Sequence, residues 1–301
     1  DPSNQNDDPL GSAGVELTRA LQRARWVIAW ERAWPHIARL LCVGGLFLAV
    51  ETGFAHKKHH REYLAYLRRH ARFFVLLTVV FGAITGVGIW WTIGLASPLA
   101  TEVLIRTFVF GWAMEWVFFV IEIVSAFIFL YAWDRLPPKT HARIGWIYGI
   151  AAWISLVIIT GITAFMLNPG DWPRRPGFWV GFFNPQFIPQ VVARTGGALL
   201  LTSLYVYLHA SIVLRDAHLR EMISARSIRP GLLGAVLILV GGGGWFVMLP
   251  ESALAVLPTA AVLNVLVVLV SAMTVVVFFG LYLGPYRNPS WLSPGFAGML
   301  L

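Results

Sequence analysis

The sequence has 301 residues, of which 57% are hydrophobic and only 13% are charged, and its mean hydropathy is +0.69. Soluble domains carry about 25% charged residues, so this composition excludes a soluble globular enzyme and predicts a protein surrounded by lipid. The formal net charge is +8. Loop lysines and arginines that set membrane topology explain this charge, and no nucleic-acid partner is expected.

The chain begins at Asp1 rather than at methionine, which indicates processing or a partial sequence. Residues 1–13 are expected to be a disordered polar tail. Residues 14–33 mix arginines with apolar residues, a pattern typical of an amphipathic helix in the membrane interface. Residues 14–285 are predicted to form one all-α domain, a polytopic transmembrane helical bundle, and residues 286–301 a C-terminal tail.

Seven apolar stretches are each long enough to cross about 30 Å of hydrocarbon as helices, the conformation that satisfies the backbone in lipid. They cover residues 35–54, 73–96, 101–133, 143–167, 188–214, 230–250 and 257–284. Lysines and arginines concentrate in the loops after the first, third and fifth stretches, whereas the alternate loops hold only Arg174 and Arg175. By the positive-inside rule the basic loops are cytoplasmic, which predicts the N-terminus outside and the C-terminus inside.

Ionisable residues within apolar stretches are costly, so each is a functional candidate. Glu115 and Glu122 are seven residues apart in the third stretch. This is close to two helical turns, so both carboxylates are expected on one helix face, about 10 Å apart along the axis. Such a pair suits a proton relay or a metal ligand set. The alternative is a protonated glutamate that is hydrogen-bonded to a neighbouring helix.

The histidines divide into candidates and expected loop residues. His36 follows Pro35 at the start of the first stretch, where proline costs no hydrogen bond. This position suits an axial haem ligand or an interfacial histidine bonded to a headgroup or to the backbone. We interpret His209 as structural. The remaining histidines are expected in basic loops, at positions 56, 59, 60, 70, 141 and 218.

Four consecutive glycines, Gly241–Gly244, lie in the sixth apolar stretch. Glycine in a helix interior costs stability. In a membrane, such glycines more often permit close helix approach or a kink than bind a ligand. We therefore expect close packing of the sixth helix against a neighbour.

One segment carries a family resemblance. Residues 115–142, EWVFFVIEIVSAFIFLYAWDRLPPKTHA, resemble a helix with two glutamates and the following GWDRL and histidine loop of the large haem-bearing subunit of cytochrome bd quinol oxidases. Glu122 stands eleven residues before Trp133, which is the family's spacing. Further similar motifs are VELTRALQ at 15–22, GAITG at 82–86 and MLNPGDW at 166–172. The resemblance covers about residues 15–185.

The resemblance implies a haem-carrying helical bundle in a prokaryotic cytoplasmic membrane that takes part in respiratory electron transfer and oxygen reduction. It implies that His36 is a haem ligand. It implies the same for Glu115, although this residue stands one position from the family's spacing, and it places Glu122 in a proton path. The expected cofactor is haem of b or d type, and the expected partner is a second integral membrane subunit.

Three departures from the family pattern bear on activity. Ala193 and Arg194 stand where the family has the low-spin haem ligand near its quinol site. The connection at 249–258 is too short for the family's quinol loop, and the family's last two helices and methionine-ligand region are missing. We therefore predict a divergent, truncated relative that has lost its quinol site and takes electrons from a c-type cytochrome or another redox partner at the outer face.

Two other functions stay open at this stage. The first is a haem-free anchor that keeps the bd-like scaffold and holds redox partners through outer-loop aromatic residues, which are Trp172, Trp179, Phe182 and Phe183. The second is a secondary transporter, but no inverted repeat is visible in the sequence. Whether the chain itself forms part of a working oxidoreductase is not decided by the sequence.

Overall fold

The computed structural model describes residues 44–255, 257–259, 261–288, 291 and 293–301. Within these residues the chain forms helices and no strand, which confirms the predicted all-α class. The predicted polar tail, the predicted interfacial helix and His36 lie outside the described residues.

The described chain forms eleven α-helices. In chain order they are α1 Gly44–Lys57, α2 Arg61–Ala96, α3 Pro98–Thr107, α4 Val109–Tyr131, α5 Pro138–Phe165, α6 Phe178–Phe182, α7 Phe187–Val213, α8 Ala217–Val247, α9 Glu251–Leu254, α10 Ala261–Leu281 and α11 Pro294–Leu300. A 3-10 turn, Leu257–Thr259, precedes α10, and a π-helical segment, Tyr282–Tyr286, follows it.

Five stretches of the described chain are long and apolar enough to cross a membrane. They are α4, α5, α7, α8 and Asn264–Tyr286. A polytopic helical bundle is therefore confirmed, whereas the predicted number of seven spans stays a prediction.

Three predicted spans differ clearly from the observed helices. Helix α8 begins at Ala217, within the predicted basic loop and thirteen residues before its predicted span. Helix α2 begins at Arg61, so most of the predicted loop before residue 73 is helical. In its first three turns Tyr63, Tyr66, Leu67 and Ala71 recur at helical spacing and are buried, while the arginines stay exposed. Charge on an exposed face does not end a helix. The third predicted span is divided at Phe108, and the short α3 before it carries an exposed ion pair between Glu102 and Arg106 at 2.7 Å.

Helix α5 is the centre of the bundle and packs against α1, α4 and α7. Its glycines let α1 approach closely. A Cβ atom on Gly149 would lie 2.6 Å from the backbone nitrogen of Leu46, and one on Gly145 would lie 3.2 Å from Ala49. The backbones of α1 and α5 are therefore in direct contact, as expected where lipid provides no hydrophobic driving force between helices.

Helices α7 and α8 pack in the same way. A Cβ atom on Gly196 would lie 2.6 Å from the carbonyl oxygen of Gly234, and one on Gly241 would overlap the backbone nitrogen of Ala193. By contrast, a Cβ on Gly243 would meet nothing within 4 Å. The glycine run thus permits close helix approach, and Gly241 makes the closest contact.

Substitution of two glycines in the same run tests this packing. Gly241→Ala should lower the free energy of unfolding by about 1–3 kcal/mol, the usual cost of overpacking, because the methyl group would force α7 and α8 apart. Gly243→Ala is the matched control and should be neutral or slightly stabilising, because the new methyl group meets open space and alanine favours helix. Thermal unfolding in detergent measures both. Equal melting temperatures for the two variants would contradict the close contact at Gly241.

Candidate functional site

Glu115 and Glu122 lie on the same face of α4. Both are half-buried, and the buried residues of the helix follow the same stripe, at Gly111, Ser125, Ala126, Phe129 and Leu130. The opposite face is exposed and apolar, with Trp116, Val117, Val120 and Val124. The seven-residue spacing therefore directs both carboxyl groups towards the bundle rather than towards lipid.

Glu115 is held from the central helix. The Ser155 hydroxyl on α5 donates a hydrogen bond to Oε1 of Glu115 at 3.1 Å, and Ser155 itself is buried. A carboxylate at membrane depth must find such a donor, because hydrocarbon offers none. This contact fixes one oxygen of Glu115 at the interface of α4 and α5.

A cation lies on the other side of α5. Nη1 of Arg194, on α7, donates to the Thr160 hydroxyl on α5 at 3.0 Å, and its Nη2 donates to Oε1 of Gln190 at 3.1 Å. Ser155 and Thr160 are five residues apart on α5. Two hydroxyl groups of the central helix therefore bind the carboxyl group of Glu115 on α4 and the guanidinium group of Arg194 on α7.

The packing around Ala193 leaves no space for a haem between α7 and α8. Gly241 of α8 packs directly against the backbone of Pro189 and Ala193. A macrocycle placed there would require the two helices to separate. The loss of the low-spin haem stays a prediction from the missing histidine, and the close contact of α7 and α8 at this position is consistent with it.

The residues around Glu115 fit a role in binding haem or carrying protons better than the residues around Ala193 fit a haem site. Glu115 offers a carboxyl oxygen, a donor type that occurs beside histidine at iron sites, and the Ser155 hydroxyl hydrogen-bonds to it as an outer-shell partner would. The geometry of His36 relative to Glu115 lies outside the described residues, so its role as haem ligand stays a prediction.

A histidine pair was not anticipated from the sequence. His70 on α2 and His209 on α7 place their Nδ1 atoms 3.2 Å apart, and His70 is 1% exposed and stacked between Tyr66 and Phe74. A hydrogen bond between two Nδ1 atoms requires that one carries a proton and the other does not. Burial, and secondarily the neighbouring His209, hold the pKa of His70 well below its ordinary value. The expectation that His70 lies in a loop is wrong, because α2 extends through it.

His141 is also buried rather than in a loop. It lies in the first turns of α5, its Nε2 is 2.9 Å from the Phe129 carbonyl oxygen, and its ring stacks on Phe129. Trp133 meets the same imidazole edge-on. In this chain the WDRL and histidine motif therefore forms the turn between α4 and α5 and packs against the C-terminal end of α4, the helix that carries both glutamates.

Glu51 belongs to a buried ion pair rather than to the carboxylate stripe. It accepts hydrogen bonds from the Tyr63 hydroxyl at 2.6 Å and from Arg226 at 2.5 and 3.0 Å, and the Arg226 guanidinium lies 3.6 Å from the centroid of the Phe54 ring. Burial, and next the Glu51 carboxylate, raise the pKa of Tyr63 above its ordinary range. The cluster connects α1, α2 and α8 at the end of the bundle where the lysine- and arginine-rich loops lie, which we call the basic end.

The comparison with protein families decides the relationship of the chain. The model of the cytochrome bd terminal oxidase subunit I family matches residues 24–245, well over half of the sequence. The chain is a member of this family. The resemblance based on Glu122, Trp133 and His141 is thereby confirmed, and both α4 glutamates lie within the matched region.

A solved structure shares the fold. The structure of the bd oxidase from Geobacillus thermodenitrificans matches with a TM-score of 0.62 and 22% sequence identity, over 75% of this chain and 55% of that chain. The present chain therefore spans about half the length of that oxidase chain. No individually curated protein sequence matches this cytochrome bd subunit I relative.

Proposed function

We propose that this chain is a haem-binding electron-transfer subunit of a respiratory membrane complex, with His36 and Glu115 as haem ligands and Glu122 in a proton path. The observation that supports this proposal is the pair of half-buried carboxylates on the bundle-facing stripe of α4, within the region that the family model matches. Carboxylates at such depth are expensive to keep and are functional by default.

Glu115 would hold the cofactor. When bound, haem of b or d type supplies an iron that accepts and passes on single electrons. Glu115 would present its carboxylate oxygen, and the Ser155 hydroxyl at 3.1 Å would fix the orientation of that carboxylate. His36, at the outer end of the predicted first span, would supply the imidazole ligand.

Glu122 would move protons. Adding an electron to a buried centre adds negative charge in a medium of low dielectric constant, and uptake of a proton by a nearby carboxylate offsets that charge. Glu122 lies two turns from Glu115 towards the basic end of the bundle, which the positive-inside rule assigns to the cytoplasm. It would therefore hold a proton drawn from the cytoplasmic side and release it towards Glu115.

The electron donor would not be a quinol bound at the usual family site. The closure of α7 against α8 at Ala193 and Gly241 supports this, since it leaves no haem-sized space between those helices. A c-type cytochrome or another redox partner at the outer face would donate instead. Outer-loop residues available for such contact include Arg174, Arg175, Trp179 and Phe183, all of which are exposed.

A second integral membrane subunit would cover part of the apolar surface. The outward face of α4 exposes Phe110 at 75% and Trp116 at 64%, and α10 exposes Val265 and Val268 to a similar degree. These faces require lipid or protein around them. We propose the cytoplasmic membrane of a prokaryote as the location, with the N-terminus outside and the C-terminus in the cytoplasm.

Ligand variants test the haem assignment. His36→Ala and Glu115→Gln should each lose one haem signal in the reduced-minus-oxidised absorption spectrum, because each removes one iron ligand, while the protein still inserts and purifies. The matched control is Glu251→Gln, since Glu251 is an exposed carboxylate in α9, and its spectrum should be unchanged. Wild-type spectra in both ligand variants would exclude these residues as ligands.

Replacement of Glu122 separates the proton path from cofactor binding. Glu122→Gln should retain the full haem content but slow oxygen uptake by the complex by about 100-fold, within the range expected for loss of a proton-transferring group. Oxygen uptake is measured with an ascorbate-reduced mediator as donor, and Glu251→Gln again serves as control. Normal turnover of the Glu122→Gln complex would remove Glu122 from the proton path.

A further inference from the structure

A cavity of about 730 Å³ opens at the basic end of the bundle, between α2 and the turn that follows α4. Its wall carries four arginines at helical spacing on one face of α2, and Trp133 and Asp134, from the turn after α4, also line it. The arginines are Arg61, Arg68, Arg69 and Arg72. None of the lining residues belongs to the α4 glutamate stripe or to the Glu51 cluster, so neither explains these charges.

The cavity has an excess of positive charge. Arg68 forms an ion pair with Asp134 at 2.5 Å. Four arginines against one aspartate leave a net charge of +3 among the lining Asp and Arg residues. Within the described part of the chain, the other three arginines have no carboxylate within ion-pair distance. Guanidinium groups bind phosphate oxygens in a bidentate manner and with strong charge assistance.

An apolar stripe continues from the arginines along the same helix. Phe73, Leu76, Val80 and Ile84 recur every three or four residues on α2 and are between 44% and 67% exposed. The change from charge to apolar surface occurs between Arg72 and Phe73, where the predicted second span begins. A tryptophan at this level, Trp133, is typical of the membrane interface.

We propose that this cavity binds the headgroup of an anionic phospholipid. The phosphate lies against Arg61, Arg69 and Arg72, and the acyl chains follow the apolar stripe of α2. A molecule that is anionic at one end and apolar along its length matches both surfaces, whereas a free phosphate matches only the first. Basic pockets at the cytoplasmic side of membrane helices recognise such headgroups. This proposal does not depend on haem binding.

Lipid binding to the intact, delipidated protein tests the proposal. Native mass spectrometry in mild detergent should show preferential binding of one phosphatidylglycerol over phosphatidylcholine. The triple variant Arg61→Gln, Arg69→Gln and Arg72→Gln should bind phosphatidylglycerol about 100-fold more weakly, since each basic residue contributes roughly fivefold to the affinity for an anionic lipid. Inorganic phosphate is titrated as a competitor.

Two further variants control for charge and for folding. The charge-matched variant Lys139→Gln, Arg215→Gln and Arg229→Gln removes three exposed basic residues that do not line the cavity, and it should keep wild-type affinity. Ala65→Trp keeps every arginine but fills the cavity, so it should also lose the bound lipid. It provides the test if the triple glutamine variant does not fold.

Three results would overturn the lipid site. The first is equal loss of affinity in the charge-matched variant, which would indicate nonspecific attraction. The second is unchanged binding in Ala65→Trp. The third is displacement by millimolar inorganic phosphate with no preference for phosphatidylglycerol over its water-soluble glycerophosphate headgroup, which would indicate a site for soluble anions.

Discussion

Helix backbones in this bundle meet directly at glycine residues, and the positions of its other groups follow from those contacts. Within lipid, helices gain little from the hydrophobic effect when they associate, because lipid tails are as apolar as the side chains. Direct packing must replace it. At Gly145 and Gly149 α1 meets the central helix α5, and at Gly196 and Gly241 α7 meets α8, each with no space for a side chain.

This packing sets the positions of the polar groups at membrane depth. Because α5 is in contact with both α4 and α7, its Ser155 reaches Glu115 and its Thr160 reaches Arg194. The same close packing closes the space at Ala193. The bundle therefore has polar groups on the α4 side of α5 and tightly packed backbones where α7 meets α8.

Much of the fold was predictable from the sequence because the signals are local. The apolar stretches predicted the five described helical stretches that are long and apolar enough to span a membrane, and the seven-residue spacing predicted that Glu115 and Glu122 share a face. The motif from Glu122 to His141 identified the family. Each of these inferences requires only periodicity or a short contiguous pattern, so tertiary structure did not need to be known.

Contacts between distant segments were not predictable in this way. His70 and His209 are 139 residues apart, and nothing in either segment indicates the other. The high charge density from Arg61 to Arg72 predicts a loop, but the charges occupy one face of a helix whose other face buries Tyr63 and Tyr66. The ion pair between Glu51 and Arg226 similarly depends on how α1 and α8 cross.

The proposed function requires that the purified protein carries haem. Pyridine extraction of the wild-type protein, with haem quantified against protein, measures this. The account predicts at least one haem of b or d type per chain, with an absorption band that changes on reduction. Well-folded protein with no stoichiometric haem would contradict the account and would indicate a scaffold that holds its redox partners without a cofactor of its own.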